Sequence, residues 1–237
     1  MERKLSVELY QFGDSPCCMK VRLVLAEKGI SWQEHFLKSW EFEHFQPDYL
    51  ELNPHGIVPT LIHDGQTIIQ SNVIAEYLDD RFRDGIKLKP ENPAMQAKMR
   101  KWMFEEQDYL FNLIVTMSFN TMMKLRVEGY GLERLQTWSL KHPDQERAQD
   151  YLNRLNAPVN NVADTKAQEK YRWHMERLEA ELNASDGPWI CGEQFSLADI
   201  CVAPIMDRIE YLNREELWRG LPAVETWFKA VKERPSY

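Results

Sequence analysis

The chain has 237 residues, of which 29 are basic and 37 acidic, for a net charge of −8. Charged residues make up 28% and hydrophobic residues 43%, a globular composition with chain enough for one or two domains of substantial core. The acidic balance argues against a nucleic-acid surface, which needs a basic field, but leaves room for a small anion bound at a local positive site.

In chain order, Leu5 to Phe12 reads as a strand. A helix follows, capped by Ser15, with Pro16 in its first turn and an apolar part at Val21, Leu23, Val24, Leu25 and Ala26. It stops near Gly29, a residue suited to the left-handed position after a helix. Trp32 to Leu37 predicts a second strand, and a weak helical pattern covers Phe42 to Leu50. Pro59 to Ile62 and Thr67 to Ile69 flank Asp64-Gly65, a hairpin signal. Ser71 is expected to cap a helix whose apolar face is Val73, Ile74, Tyr77 and Leu78. This order predicts a mixed sheet with helices on both faces. Gly85, Pro90 and Pro93 mark a linker, and no convincing strand follows it. Met95, Met99, Trp102, Met103, Glu106, Leu110, Leu113 and Met117 keep helical spacing, as do Tyr171, Met175, Leu178 and Leu182. Phe195, Ser196, Asp199 and Ile200 form a capping box with a hydrophobic staple, and Pro222 opens a last helix through Val224, Trp227, Phe228 and Val231. These methionine and aromatic stripes read as core. Leu125 to Asn161 is the least regular segment, holding a short helix around Asp144 to Leu155 or acting as a cover.

The four cysteines do not form a disulfide framework: Cys17 and Cys18 point to different sides of a helix, and Cys191 and Cys201 lie far away in sequence. Zinc spacing is absent, so no metal site is expected. Reduced thiols fit a cytoplasmic protein. The first residues run into a strand without an apolar signal segment, and the richest apolar stretch, Leu110 to Met117, is far shorter than the roughly 18 residues of a membrane span.

Ser15-Pro16-Cys17-Cys18 is the chemically informative stretch. The first N–H groups of a helix lack internal partners and carry the positive end of the helix dipole, so a sulfur placed there is stabilised as thiolate. That sulfur is either the chain's own or a bound thiol's. A buried cysteine acting as a small hydrophobe is the competing reading.

Four pieces, in this order and spacing, resemble the glutathione transferase superfamily over almost the whole chain: Ser15 through Arg22, Asn53-Pro54 through Val58-Pro59-Thr60-Leu61, Gln70-Ser71, and Ser196-Leu197-Ala198-Asp199. The resemblance implies an α/β thioredoxin-like domain (βαβ-α-ββα) over residues 1–83. A linker at 84–93 and an all-α helical bundle at 94–237, which forms the electrophile site, would follow. It implies glutathione as co-substrate. The Val58 backbone would pair with its cysteinyl part, Pro59 would be cis, and Gln70 and Ser71 would hold its γ-glutamyl end at a helix N-terminus. Ser15 would donate a hydrogen bond to the thiolate, keeping it nucleophilic. Ile57 departs from the polar residue often found before the Val-Pro pair. Trp40, His44 and His55 are candidates for the glycyl end.

Ser-x-Cys-x-x-(Val/Thr)-Arg is also similar to zeta-class enzymes and tetrachlorohydroquinone reductive dehalogenases. That similarity makes Cys17 a second catalytic candidate, for reductive dehalogenation, thiol-disulfide exchange or isomerisation. Detoxifying transfer to a small hydrophobic, aromatic electrophile is the leading expectation, and an inactive glutathione-binding scaffold the remaining one. The acceptor is expected between Ser15 or Met19 and a helix carrying Met117, Asn120, Thr121 and Tyr130. A homodimer is the family expectation, with neither nucleic acid nor membrane as partner.

Overall fold

The computed structural model describes residues 7–125, 129, 131–159 and 161–237, the side chains of Asn120 and Leu132 excepted. Its four-stranded sheet has the order β2-β1-β3-β4, formed by β1 (Val7–Gln11), β2 (Gln33–Phe36), β3 (Thr60–His63) and β4 (Gln66–Ile69). β1 runs parallel to β2 and antiparallel to β3, in a register that sets Leu9 opposite Leu61 and Tyr10 opposite Thr60. The β3–β4 hairpin turns at Asp64 (φ 50°) and Gly65 (φ 80°).

Side chains alternate across a strand. Val7 and Leu9 face the core with Leu61, against Val21, Val24 and Leu25 of α1 (Pro16–Glu27) and Ile74 and Leu78 of α3 (Ser71–Arg81). Truncating one such fully buried leucine to alanine costs about 2–5 kcal/mol. On the other face Tyr10 meets Tyr49 of α2 (Pro47–Leu52), whose hydroxyl lies 2.8 Å from Thr60 Oγ1. Helices thus cover both faces of a thioredoxin-like sheet, as the sequence predicts. Val73, expected on the apolar face of α3, is instead 56% exposed.

The stretch between α3 and the helical part is pinned rather than loose. Asp79 accepts from Lys28 Nζ at 2.8 Å and from the N–H groups of Leu88 and Lys89. Leu88 is fully buried and its carbonyl accepts from Leu197 N–H.

The long methionine-rich helix is continuous but not uniform. α4 (Pro93–Glu105), begun by the Asn92 cap, passes through a π-helical turn at Glu106–Leu110 into α5 (Phe111–Ser118), then through a second at Phe119–Met123. Such turns shift the facing of every later side chain. The segment the sequence leaves open holds two helices, α6 (Leu132–Lys141) and α7 (Gln145–Asn156). α7 starts where Asp144 accepts the Arg147 N–H at 2.9 Å. α8 (Asn161–Asn183), α9 (Leu197–Tyr211) and α10 (Pro222–Lys232) complete the helical domain. The buried Asp199 carboxylate holds the start of α9, accepting from Ser196 N–H and hydroxyl, Ile190 N–H and Trp227 Nε1–H.

Candidate active site

The start of α1 forms as its residues dictate. Ser15 has an extended backbone (φ −83°, ψ 123°) and its Oγ accepts the Cys18 N–H at 3.4 Å. Successive helical residues diverge by about 100°, and the two cysteines separate accordingly. Cys17 lines the central cleft, while Cys18 is fully buried and its thiol is pushed up to about 12, chiefly by burial. Burial raises the Cys17 thiol as well, opposed by Lys20 and a hydrogen bond from Ser71. Cys17 therefore rests as the protonated thiol.

Behind Cys17 lies a buried polar cluster. Lys20 Nζ donates to Glu106 Oε2 at 2.6 Å, Asn72 Oδ1 at 2.6 Å and Ser71 Oγ at 3.2 Å, with only 2% of either charged side chain exposed. Cys201 of α9 donates to the same Asn72 oxygen at 3.4 Å. Ser71 is thus the first residue of α3 rather than its cap. Gln70 occupies the cap position at φ 72° with no side-chain capping bond, and the Ser71 hydroxyl is turned to the ammonium of Lys20 instead. The sequence carries the signal for this cluster. Lys20 falls on the apolar stripe of α1 and Glu106 on that of the long helix. A buried charge on one stripe requires a partner on another.

The Val58 loop is held from beneath. Tyr49 Oη–H and Asn53 Nδ2–H both donate to the Ile57 carbonyl, at 2.6 and 2.8 Å, and the Val58–Pro59 bond is cis. Among the described residues the Val58 N–H and carbonyl have no partner, so a strand-like ligand can pair with them. Gln70 is exposed, in a backbone region that costs a non-glycine residue about 1–3 kcal/mol and concentrates at functional sites. His55 is exposed, its N–H spent on Asn53 Oδ1, and it does not line the cleft.

The cleft itself has a volume of about 590 Å³ and runs from Ser15, Cys17, Trp40 and Val58 to an aromatic wall. Four separate chain segments build that wall. Phe12 meets His44 edge-on at 5.1 Å, Phe45 contacts His142 at 4.8 Å, and Trp138 of α6 packs on Tyr151 of α7 at 4.6 Å, with Phe119 beyond it. Gly56 closes the join: a Cβ there would meet the Phe45 ring at 2.8 Å and Pro143 at 3.1 Å. Both imidazoles are buried and neutral. His44 is pushed down to about 4 by burial and by neighbouring His142, and His142 is lowered by burial and Arg147.

Three of the expected acceptor residues sit elsewhere. Met19 is partly buried against the core, Met117 is fully buried, and Thr121 Oγ–H donates to the Met117 carbonyl; none of the three lines the cleft. The Asn120 side chain and Tyr130 lie outside the described residues. The helix is as predicted, but its cleft face is one position around, at Ile114, Val115, Ser118, Phe119 and Met122. Spacing alone marks a helix's apolar stripes without saying which one meets the neighbouring domain.

A thioredoxin-like sheet domain followed by an all-helical domain, with a cleft opening at the N-terminus of α1, defines the class of thiol-handling two-domain folds. Residues 14–81 match the family described as glutathione S-transferase, N-terminal domain, and residues 138–235 match glutathione S-transferase, C-terminal domain. The chain belongs to the glutathione S-transferase superfamily. Among its relatives, protein LigF of Sphingobium sp. strain SYK-6 is 27% identical over 98% of this chain and 91% of its own. The crystal structure of that protein, described as a β-etherase, superposes with a TM-score of 0.82 at 26% identity, covering 98% and 96% of the two chains. Glutathione S-transferase A of Pleuronectes platessa is 29% identical over 94% of this chain and 85% of its own. The tetrachloro-p-hydroquinone reductive dehalogenase of Sphingobium chlorophenolicum is 26% identical over 98% and 94%.

Proposed function

We propose that this protein is a glutathione transferase that adds the glutathione sulfur to an aromatic electrophile. The observation that carries this reading is the convergence in one cleft of Ser15 at a helix N-terminus and the partnerless Val58 backbone, facing a wall of aromatic rings.

Glutathione would pair its cysteinyl backbone with Val58 and set its γ-glutamyl end at the start of α3, near Gln70 and Ser71. There the first N–H groups of the helix favour a carboxylate, and Lys20 Nζ, itself paired with Glu106, holds the Ser71 hydroxyl in place. The thiol then lies at the start of α1. Ser15 Oγ uses a lone pair to accept the Cys18 N–H and keeps its own proton to donate to the thiolate. The sulfur lone pair forms the S–C bond, and the leaving group departs with its bonding electrons. Cys17 held as a protonated thiol supports Ser15 rather than Cys17 as the working group. Free cysteines throughout the described residues support a reducing, cytoplasmic setting, and the family resemblance supports a homodimer. No helix among the described residues is long and apolar enough to cross a membrane.

Replacing Ser15 by alanine should lower kcat/KM for chlorodinitrobenzene about ten- to a thousand-fold, the range for one lost donor to a developing or stored negative charge. Glutathione affinity by calorimetry should stay within a few-fold, and Cys17→Ala should conjugate nearly normally. The reverse result, S15A active and C17A dead with a mixed disulfide seen by intact mass in the parent protein, would move the chemistry to Cys17. No binding at millimolar glutathione would overturn the transferase reading, and binding without conjugation would leave the inactive glutathione-binding scaffold.

A further inference from the structure

The cleft holds a polar group that the transfer step leaves unused. His142, between α6 and α7, lines the cleft and is only 5% exposed. Its Nδ1 accepts the Asp144 N–H at 3.0 Å, so the proton of this neutral ring sits on Nε2. Nε2 has no partner among the described residues. The ring is clamped between Phe45 at 4.8 Å and Trp138 at 5.0 Å, and the tight Gly56–Phe45–Pro143 contact fixes the adjoining backbone. The geometry is thus a rigid N–H donor set among aromatic faces of the cleft, beside Phe45 and Trp138.

We propose that His142 determines specificity for the second substrate, donating its Nε2–H to an oxygen acceptor, such as a ketone carbonyl, carried beside the aromatic ring of the electrophile. The inference rests on the transferase reading above and names the substrate class of the same cleft. A bound ligand that seals this donor from water is discriminated strongly, because one without the acceptor leaves the N–H unpaired. His44, the other imidazole of the wall, receives no such role: its Nδ1 is sealed without a partner and no hydrogen bond fixes its tautomer.

The test compares two glutathione conjugates that differ only by a carbonyl in place of a methylene, S-phenacylglutathione and S-phenethylglutathione. Calorimetry would measure both against the parent protein, His142→Phe and His142→Gln. The parent should prefer the phenacyl conjugate by about tenfold, roughly one hydrogen bond. That preference should collapse in H142F, with S-phenethyl affinity changed less than about threefold, and return in part in H142Q. Should H142F fold poorly, His142→Met supplies the donorless variant, and the ratio of the two affinities cancels general damage. An unchanged ratio in the donorless variant overturns the proposal, as does S-phenethyl binding to the parent with no carbonyl preference. Failure of the parent to bind either conjugate overturns the transferase reading itself.

Discussion

The two ends of the cleft are built by opposite means. The thiol end is short-range and polar. Ser15, Cys17 and Lys20 lie within six residues on one helix start, where Ser15 accepts the Cys18 N–H and Lys20 donates to Ser71, Asn72 and Glu106. The acceptor end is long-range and aromatic. Phe12, His44, Phe45, Trp138, His142 and Tyr151 come from separate segments and meet through ring contacts, with His142 also accepting the Asp144 N–H. A thiolate needs a fixed field, which the backbone dipoles of the helix start supply. An aromatic acceptor needs shape and a dry surface, which packed rings supply. One end can therefore be altered with little effect on the other, and three perturbations sharpen or break that division.

The largest effect is expected at Lys20. Lys20→Met strands the Glu106 carboxylate, now 2% exposed, and should cost about 3–5 kcal/mol of stability by urea denaturation. The double variant K20M/E106L should recover most of it. A loss below about 1 kcal/mol for K20M would show that the cluster does not clamp the two domains.

Next in size is a pH effect confined to the aromatic end. His44 titrates at about 4 in the folded protein against 6.5 when unperturbed, because burial disfavours the imidazolium. The unfolded chain therefore takes up the proton first. Stability should be full above pH 6.5 and fall by about 3 kcal/mol as the pH drops towards 4, with His142 acting in the same direction. His44→Phe, which keeps the ring packing on Phe12 and Phe45, should flatten the pH dependence of the denaturation midpoint. An unaltered slope would assign the acid lability elsewhere.

The smallest effect tests the separation directly. Trp138→Ala removes one face of the wall and should raise the KM for an aromatic electrophile about tenfold, from a lost ring contact and its buried area. The glutathione Kd should not move. A matching loss of glutathione affinity would mean that the wall supports the Val58 loop through Phe45 and Gly56, and that the two ends are one structural unit.

How much of this was legible follows the same division. The Ser15 cap, the separation of Cys17 from Cys18, the left-handed Gly29, the hairpin at Asp64-Gly65 and the capping box at Ser196 and Asp199 all follow from local residue chemistry, and the structure shows each. Ser71 misleads because a serine at a helix start normally caps it, whereas here a lysine 51 positions earlier claims the hydroxyl. Met117 and Thr121 were expected at the cleft, but the face of the long helix that lines it carries Ser118, Phe119 and Met122 instead. The face depends on π-helical turns and on docking against α6 and α7, which periodicity does not encode.

By itself, the sequence determined the order of elements, the two kinds of domain and the helix start that presents a sulfur, because capping, turn formation and hydrophobic period are properties of neighbouring residues. Only the tertiary structure decided which cysteine opens on the cleft, what the buried Lys20 pairs with and which rings form the aromatic wall. Those choices are made between residues up to 139 positions apart, from Phe12 to Tyr151, brought together by the burial of surfaces that carry no mark of their partner.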